Sequence, residues 1–389
     1  MEYTLKDNVL TVYLVGRIDS QNAAESEAQA FAVCRANPAE KVVLDCARLD
    51  YVSSAGLRVV LKLRKAYPTL RLVDVQPDVY DIFEMTGFTE MMPIEKAFRT
   101  LSVEGCAVIG EGANGKVYRT AADTIVKVYR WPDCLDDIRR ERELAKRAFI
   151  LGIPTAISYE VVKVGDNYGS VFELLDAKSI AEILAAEPTR MDEMVNLYVD
   201  LLKKIHATTG DRAIMNDMKR TAEEWAIFDK DYLSPEAGDK LLSLVREIPF
   251  SDKMMHGDYH VKNVMIQSGE AILIDMDTVC VGHPIFELGS MFNAYNGFAA
   301  IDPAKSVAFL GIERDVAEAV WRKSLSLYLG TDNDAVIRSV ERKAAVVGIM
   351  RLLRRAARRS DSPDSADAVA FYRRWLEELL PTVDTLVLE

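Results

Sequence analysis

The chain has 389 residues, 49% of them apolar and 28% charged, an ordinary globular composition with length for two or three domains. Its formal charge of −12 argues against nucleic acid as the main partner, because a phosphate backbone needs a basic footprint; an acidic chain also fits a cationic substrate. Five scattered cysteines (Cys34, Cys46, Cys106, Cys134, Cys280), with no CxxC spacing, argue against a zinc site and for reduced thiols.

In chain order, residues 9–15 alternate and are rich in β-branched side chains, which predicts a strand. Residues 20–35 carry helical periodicity, with Ser20 as N-cap. A buried strand at 41–45, a helix at 53–67, a strand at 70–74 and a helix at 77–85 follow. This βαβαβα order predicts a small sheet with helices packed on it. The pattern changes near Leu101. Strands are expected at 106–109, 116–119 and 125–129, a helix at 138–150, and strands near 157–164 and 169–174. Beyond Leu175 the chain reads as helical, apart from a β-rich stretch at 264–274. The expected organisation is an α/β domain over 1–100, then an α+β bilobal unit with a sheet lobe at 101–177 and a helical lobe at 178–389.

The chemistry concentrates in the second part. Gly110, Gly112 and Gly115 form GxGxxG between two strands, where glycine lets backbone N–H groups approach phosphate oxygens. A dinucleotide fingerprint would open a helix instead. Lys127 lies on the next strand, placed to reach phosphates, and its helix partner is Glu141 or Glu143. Glu141 shares a face with Leu144, Ala145 and Ala148, which favours it. The strongest signal is His256-Gly-Asp258-Tyr-His260-Val-Lys-Asn263, in which Asp258 and Asn263 keep a D-x-x-x-x-N spacing. Asp258 would accept or orient the proton of an attacking hydroxyl. Asn263 and Asp275, twelve residues beyond it at the end of an apolar strand, would offer hard oxygens to Mg2+. Together these groups predict ATP-dependent phosphoryl transfer. His256 and His260 are expected to shape the loop by hydrogen bonding, and His206 to be structural.

These motifs resemble the aminoglycoside phosphotransferase family, which includes choline-kinase-like enzymes, from about Val103 to the C-terminus. His260, within HGDxHxxN, carries the distinction from ordinary protein kinases. The segment Gly282-His-Pro-Ile-Phe-Glu-Leu288 is similar to the family's following turn and helix, with His283 where aspartate is common. The resemblance implies a protein-kinase-like fold, ATP, Mg2+ and transfer to a hydroxyl of a small molecule. It also implies an adenine-binding hinge at about 172–175, through Phe172, Glu173 and Leu175.

The first hundred residues resemble a STAS domain, the fold of anti-sigma-factor antagonists. The carrying residues are Val42-Val-Leu-Asp45 and Leu49-Asp-Tyr-Val-Ser53-Ser54-Ala-Gly56. The resemblance implies a regulatory domain that meets a protein partner and a phosphoacceptor at Ser54. Phosphate at a helix N-terminus would meet unpaired N–H groups and the positive end of the dipole; the alternative is that Ser53 or Ser54 only caps the helix. A second functional expectation follows: a signalling kinase acting on a protein, for instance on Ser54.

The remaining features are bland. Arg351 to Arg359 reads as a basic amphipathic helix, and the acidic stretches at 133–137 and 360–367 as a loop and a turn. The first residues lack a signal-peptide pattern, and no uncharged apolar run would span a bilayer. A cytoplasmic protein without a membrane partner is expected.

Overall fold

The computed structural model describes residues 1–112, 114–359 and 365–388. The chain forms two compact units, Met1–Ser102 with Val161–Gly165, and Val103–Glu160 with Asp166–Glu389.

In the first unit, β1 (Tyr3–Lys6) and β2 (Val9–Ile18) make an antiparallel hairpin. Asp7 and Asn8 close it, both at positive φ, as a two-residue turn of this hand requires. Every β1 residue is exposed, Tyr3 and Leu5 included, so the strand is defined by its pairing with β2 and not by burial. There follow α1 (Ala23–Ala36), β3 (Lys41–Val52), α2 (Ser54–Ala66), β4 (Arg71–Val75), α3 (Pro77–Met85), the single turn α4 (Phe88–Met91) and β5 (Ile94–Lys96). The strand order is β1-β2-β3-β4-β5, parallel from β2 onward. Leu10 and Val12 of β2, Val42 and Leu44 of β3, and Val60 and Leu63 of α2 meet in its core. Ser20 does not cap α1. Asn22 precedes the helix instead, and its side chain turns back to accept from the Asp19 N–H and donate to the Arg17 carbonyl.

The second unit begins with β6 (Ala107–Glu111), β7 (Gly115–Arg119), β8 (Thr124–Tyr129), α5 (Leu135–Ile150) and β10 (Asn167–Glu173); between α5 and β10 in the chain comes β9 (Glu160–Val164), which from Val161 on counts with the first unit. Strands β6, β7, β8 and β10 are antiparallel neighbours in that order. Helix α5 starts three residues before its expected position, so Asp136 and Asp137 sit in its first turn, not in a loop. Carboxylates there complement the helix dipole. Strand β9 begins at Glu160, three residues later than expected.

The helical part contains β11 (Lys178–Ser179), α6 (Ile180–Ala186), α7 (Met191–Ala207), β12 (Asn216–Asp217), α8 (Met218–Asp229) and α9 (Pro235–Glu247). Next come β13 (Met254–Met255), β14 (Val264–Gln267), β15 (Glu270–Leu273), β16 (Cys280–Val281) and α10 (Ile285–Phe292), which runs into a π-helical turn at Asn293–Gly297. The unit ends with α11 (Lys305–Leu310), α12 (Arg314–Leu329), α13 (Asp334–Ala357) and α14 (Ser365–Leu379). The middle of α13 is buried on every side from Ala344 to Met350, the mark of a central helix. It emerges where its sequence turns basic, with Leu352, Leu353 and Ala356 still packed inward. Of the acidic stretch expected as a turn, residues 360–364 lie outside the described residues, and Ser365 onward is helical. Among the described residues, no helix is long and apolar enough to cross a membrane.

One buried group strains this core. Asp229, the last residue of α8, is fully buried, and neither carboxylate oxygen has a hydrogen-bond partner among the described residues. Burial pushes its pKa up to about 8, against a smaller opposing pull from Arg354. The folded state therefore keeps a proton that the unfolded chain releases above about pH 4, so stability falls as pH rises from about 4 to about 8. Asp229→Asn is expected to stabilise the second unit by about 2 kcal/mol or more at pH 8 and by almost nothing at pH 4. Urea unfolding at the two pH values checks this; equal gains at both would contradict it.

Candidate active site

Lys127 lies in the middle of β8, whose neighbours β7 and β10 shield it on both sides. Its Nζ is 3.1 Å from Glu141 Oε1 and 2.8 Å from Asp275 Oδ1. Glu141 is buried on the inner face of α5, whereas Glu143 is exposed. The pairing therefore follows the helical-face argument. Burial works against the ammonium, but Glu141 and Asp275 outweigh it and raise its pKa. Sequence reasoning missed the next layer. Tyr129 donates to Glu141 Oε2 at 2.8 Å, and Ser170 of β10 lies 3.2 Å from the same phenol oxygen. Tyr129 stands two residues after Lys127, on the same face of the strand, which is the one signal that pointed to it.

The glycine turn joins β6 to β7, with the Gly112 N–H donating to the Gly115 carbonyl at 2.9 Å. Asn114 in this turn donates to Asp277 Oδ2 at 3.1 Å. A Cβ at Gly115 would stand 2.1 Å from the Val128 carbonyl oxygen, so close strand packing demands glycine there. Gly110 meets only ordinary contacts, and Gly112 has open space around it.

The loop from His256 to Asn263 follows β13 and is held from several directions. Glu287, buried in α10, accepts the N–H groups of His256 at 2.6 Å and Gly257 at 3.0 Å. Gly257 has φ +85°, and a Cβ there would lie 2.4 Å from the Thr278 carbonyl oxygen. The Gly257 carbonyl accepts from Ser290 Oγ and Arg351 Nη1. His256 accepts the Asp258 N–H on Nδ1 and so donates from Nε2 to the Ile274 carbonyl. Beneath the loop, Tyr259 and Tyr198 stack at 4.5 Å and each donates to the other's carbonyl. Tyr295 accepts the Val261 N–H and donates to Tyr198 Oη. Glu287, Tyr198 and Tyr295 carry no motif spacing, so the sequence does not single them out.

Asp258 presents a partly exposed carboxylate, with His260 Nε2 3.6 Å away. Burial raises its pKa, but His260 and Arg351 hold it below the ordinary carboxylate value. It is thus an ionised acceptor at neutral pH. Asn263 donates its amide nitrogen to the Asp258 carbonyl at 3.0 Å, so Oδ1 is the atom that could ligate a metal. Asp275 follows β15 in the left-handed region, with φ 62°. An unusual backbone of this kind at a charged residue is typical of functional sites. Among the described residues, no three His, Cys, Asp or Glu side chains gather as a metal nest. One carboxylate and one amide oxygen do fit Mg2+, which keeps waters and takes phosphate oxygens for its other positions. Asp277 nearby is pushed up to about 7, by burial first and then by Asp275 and Glu141, so the site carries excess negative charge that a dication would relieve.

The other predicted residues fall as follows. Phe172 and Glu173 end β10, beside Ile125 and Thr124 of β8, with Phe172 and Leu175 half-buried. The Leu174 N–H is used by the Asp123 carbonyl. His206 is buried and bonds Tyr328 Oη through Nδ1. His283, also buried, accepts the Ile285 N–H at the start of α10. In the first unit Ser53 is the N-cap of α2, accepting from Ala55 and Gly56, while Ser54 is exposed in the first helical turn.

A phosphotransferase enzyme family model matches residues 105–319, more than half of the chain. The chain belongs to this phosphotransferase family. A STAS-domain model matches residues 1–102. The provisionally named anti-sigma factor antagonist BtrV of Bordetella bronchiseptica is 42% identical over 92 residues, covering 23% of this chain and 78% of that protein. The N-terminal part is therefore a STAS domain. A mutant of aminoglycoside 2′-phosphotransferase-IIIa in complex with GDP is similar with a TM-score of 0.50 and 13% identity, over 78% of this chain and 97% of that one; this likeness shows the fold alone. A thermostable mutant of aminoglycoside phosphotransferase APH(4)-Ia in its apo form has a TM-score of 0.49 and 12% identity, over 71% and 94% of the two chains.

In this phosphotransferase a cleft of about 460 Å3 opens beside Asn114, Glu141, Gly257 and Asp277. The glycine turn at its edge separates two kinds of glycine. Gly115→Ala should destabilise the second unit by about 2 kcal/mol or more, because the new Cβ strikes backbone. Gly112→Ala should stay within about 0.5 kcal/mol of the parent. Thermal unfolding of both variants checks this, and an equal loss in the two would refute it.

Proposed function

We propose that this chain is an ATP- and Mg2+-dependent kinase that phosphorylates a hydroxyl group, with a small molecule as acceptor and the STAS domain as its regulator. The observation that carries the reading is the ionised Asp258 on a loop held by Glu287 and the tyrosines, with Asn263, Asp275 and Lys127 close by. Phosphoryl transfer needs positioned groups and charge neutralisation more than covalent chemistry from the protein.

In this reading Lys127 binds nucleotide phosphates, and Glu141 fixes the direction of its ammonium. The glycine turn at Gly110, Gly112 and Gly115 covers the phosphates. The open space at Gly112 suits close approach of a ligand to the backbone. The segment of Phe172, Glu173 and Leu175 offers backbone groups to adenine. Asn263 and Asp275 would hold Mg2+, which neutralises charge on the phosphates. Asp258 orients the acceptor hydroxyl and takes its proton. The hydroxyl oxygen bonds to the γ-phosphorus, the bond from that phosphorus to the β-phosphate oxygen breaks, and ADP leaves.

A second reading makes a protein hydroxyl the acceptor. It is favoured by Ser54, exposed beside a helix N-terminus that Ser53 already caps, in a STAS domain similar to an anti-sigma factor antagonist. Linkage of the two domains raises the effective concentration of one for the other.

Asp258→Asn should abolish ADP release in an acceptor screen while nucleotide affinity, measured by calorimetry, stays within about threefold. Turnover retained in that variant would sink the assignment. Incubation with MgATP followed by mass spectrometry separates the two readings: a phosphorylated Ser54 peptide favours the protein acceptor, and an unmodified one favours the small molecule.

A further inference from the structure

Close to Asp258 the second unit has another hollow, of about 410 Å3, walled by Phe298, Phe309, Tyr372, Lys305, Arg355 and Arg359. Contacts lead to it from the catalytic loop. His260, 3.6 Å from Asp258, meets the Phe309 ring edge-on at 5.0 Å. Phe309 meets Phe298 at 5.0 Å, and the Arg355 guanidinium lies over Phe298 at 5.5 Å. The π-helical turn at Asn293–Gly297 delivers Phe298 to this wall, and such turns are frequent at functional sites.

The charge of the hollow is anomalous for this chain. Arg351 and Arg355 lie four residues apart on the basic end of α13 and share a face, Arg359 follows two residues past the helix, and like charges this close repel. Partial desolvation, and then Arg359 and Arg351, lower the pKa of Arg355, whereas Tyr372 and Asp258 act in the opposite direction. No carboxylate among the described residues forms an ion pair with Arg355, Arg359 or Lys305, and none lines the hollow. The chain has 60 acidic residues to 48 basic ones, so partners are not scarce. Elsewhere on the helical surface Arg314 pairs with Glu318, Arg338 with Asp334 and Arg373 with Glu377. A set of cations with no ion-pair partner among the described residues, on an aromatic wall, is the complement of an anion with an apolar body.

We propose that this hollow receives the phosphate acceptor, and that the acceptor is an anionic hydroxyl compound whose carboxylate or phosphate meets Arg355 and Arg359 while its planar or apolar body lies against Phe298 and Phe309. The proposal rests on the kinase reading and reverses the cationic substrate that the overall acidity suggests. In the transfer, the acceptor's hydroxyl oxygen gains the γ-phosphoryl group, its proton passes to Asp258, and ADP is the leaving group.

The test uses the full chain with four probes of one shape: 4-(hydroxymethyl)benzoate, 4-(hydroxymethyl)phenylphosphonate, the neutral 1,4-benzenedimethanol and the cationic 4-(aminomethyl)benzyl alcohol. Calorimetry should show both anions binding about tenfold or more tightly than the neutral diol, with the amine weakest. The better of the two anions identifies carboxylate or phosphate as the natural group. Arg355→Gln combined with Arg359→Gln, both at exposed positions, should erase the preference. Equal binding of all four probes, absence of binding, or a preference that survives the double substitution overturns the proposal. ADP release read in parallel separates the two levels. Release with every probe regardless of charge overturns the anion site and leaves the kinase reading intact. A charge preference that vanishes in the double variant, without ADP release from any probe, supports the anion site and counts against the kinase reading.

Discussion

The ammonium of Lys127 joins three parts of the second unit that are far apart in the chain. It belongs to β8, one partner is on α5, and the other follows β15, 148 residues away. The cation and Glu141 are largely buried, so the low local dielectric strengthens their attraction and makes the loss of Glu141 expensive, typically about 3–5 kcal/mol for a buried pair broken on one side, whereas the more exposed Asp275 is worth less. Tyr129 then donates to Glu141 and is itself met by Ser170, which removes freedom from the carboxylate that aims the ammonium. The glycine turn above and the Asp275 segment below take their positions relative to this charge.

The loop bearing Asp258 is fixed by the opposite strategy. Among the described residues, hydrogen bonds to its backbone hold it in place of a strong ion pair. Glu287 satisfies two successive backbone N–H groups, His256 closes the turn internally, and Tyr198 and Tyr295 lock Tyr259 and Val261 from below. These bonds are buried or partly buried, so leaving one unmade would cost more than making it returns. A loop over-determined in this way can present one ionised carboxylate without moving when a substrate arrives, which is how preorganisation contributes to transfer chemistry.

Charge is distributed against the average. An acidic chain carries its basic row at the end of α13, where the helix leaves the core, and surrounds Lys127 with carboxylates at the other side of the cleft. A net charge describes solubility and long-range fields. It says nothing about which sign faces a given pocket.

The residues from His256 to Asn263, with Asp275, were legible in the sequence because their chemistry depends on short spacings within one loop and one strand end. Glu141 was legible over Glu143 because burial on a helix repeats every three to four residues, and the Ser53 cap because its bonds are local. The hairpin strand β1 was not legible, since all its side chains face water and it is defined only by pairing with β2. Tyr198, Tyr295, Ser170 and Glu287 were equally silent. Their partners lie 61, 34, 41 and 31 residues away, and nothing local distinguishes a tyrosine that will support a loop from one that will fill a core. Arg351 to Arg359 shows the division most clearly. Sequence alone established an amphipathic basic helix, because periodicity is a property of neighbours along the chain. Only the folded structure set Arg355 and Arg359 on the wall of a hollow beside Asp258, because that depends on which surfaces the long-range packing of α13 leaves uncovered.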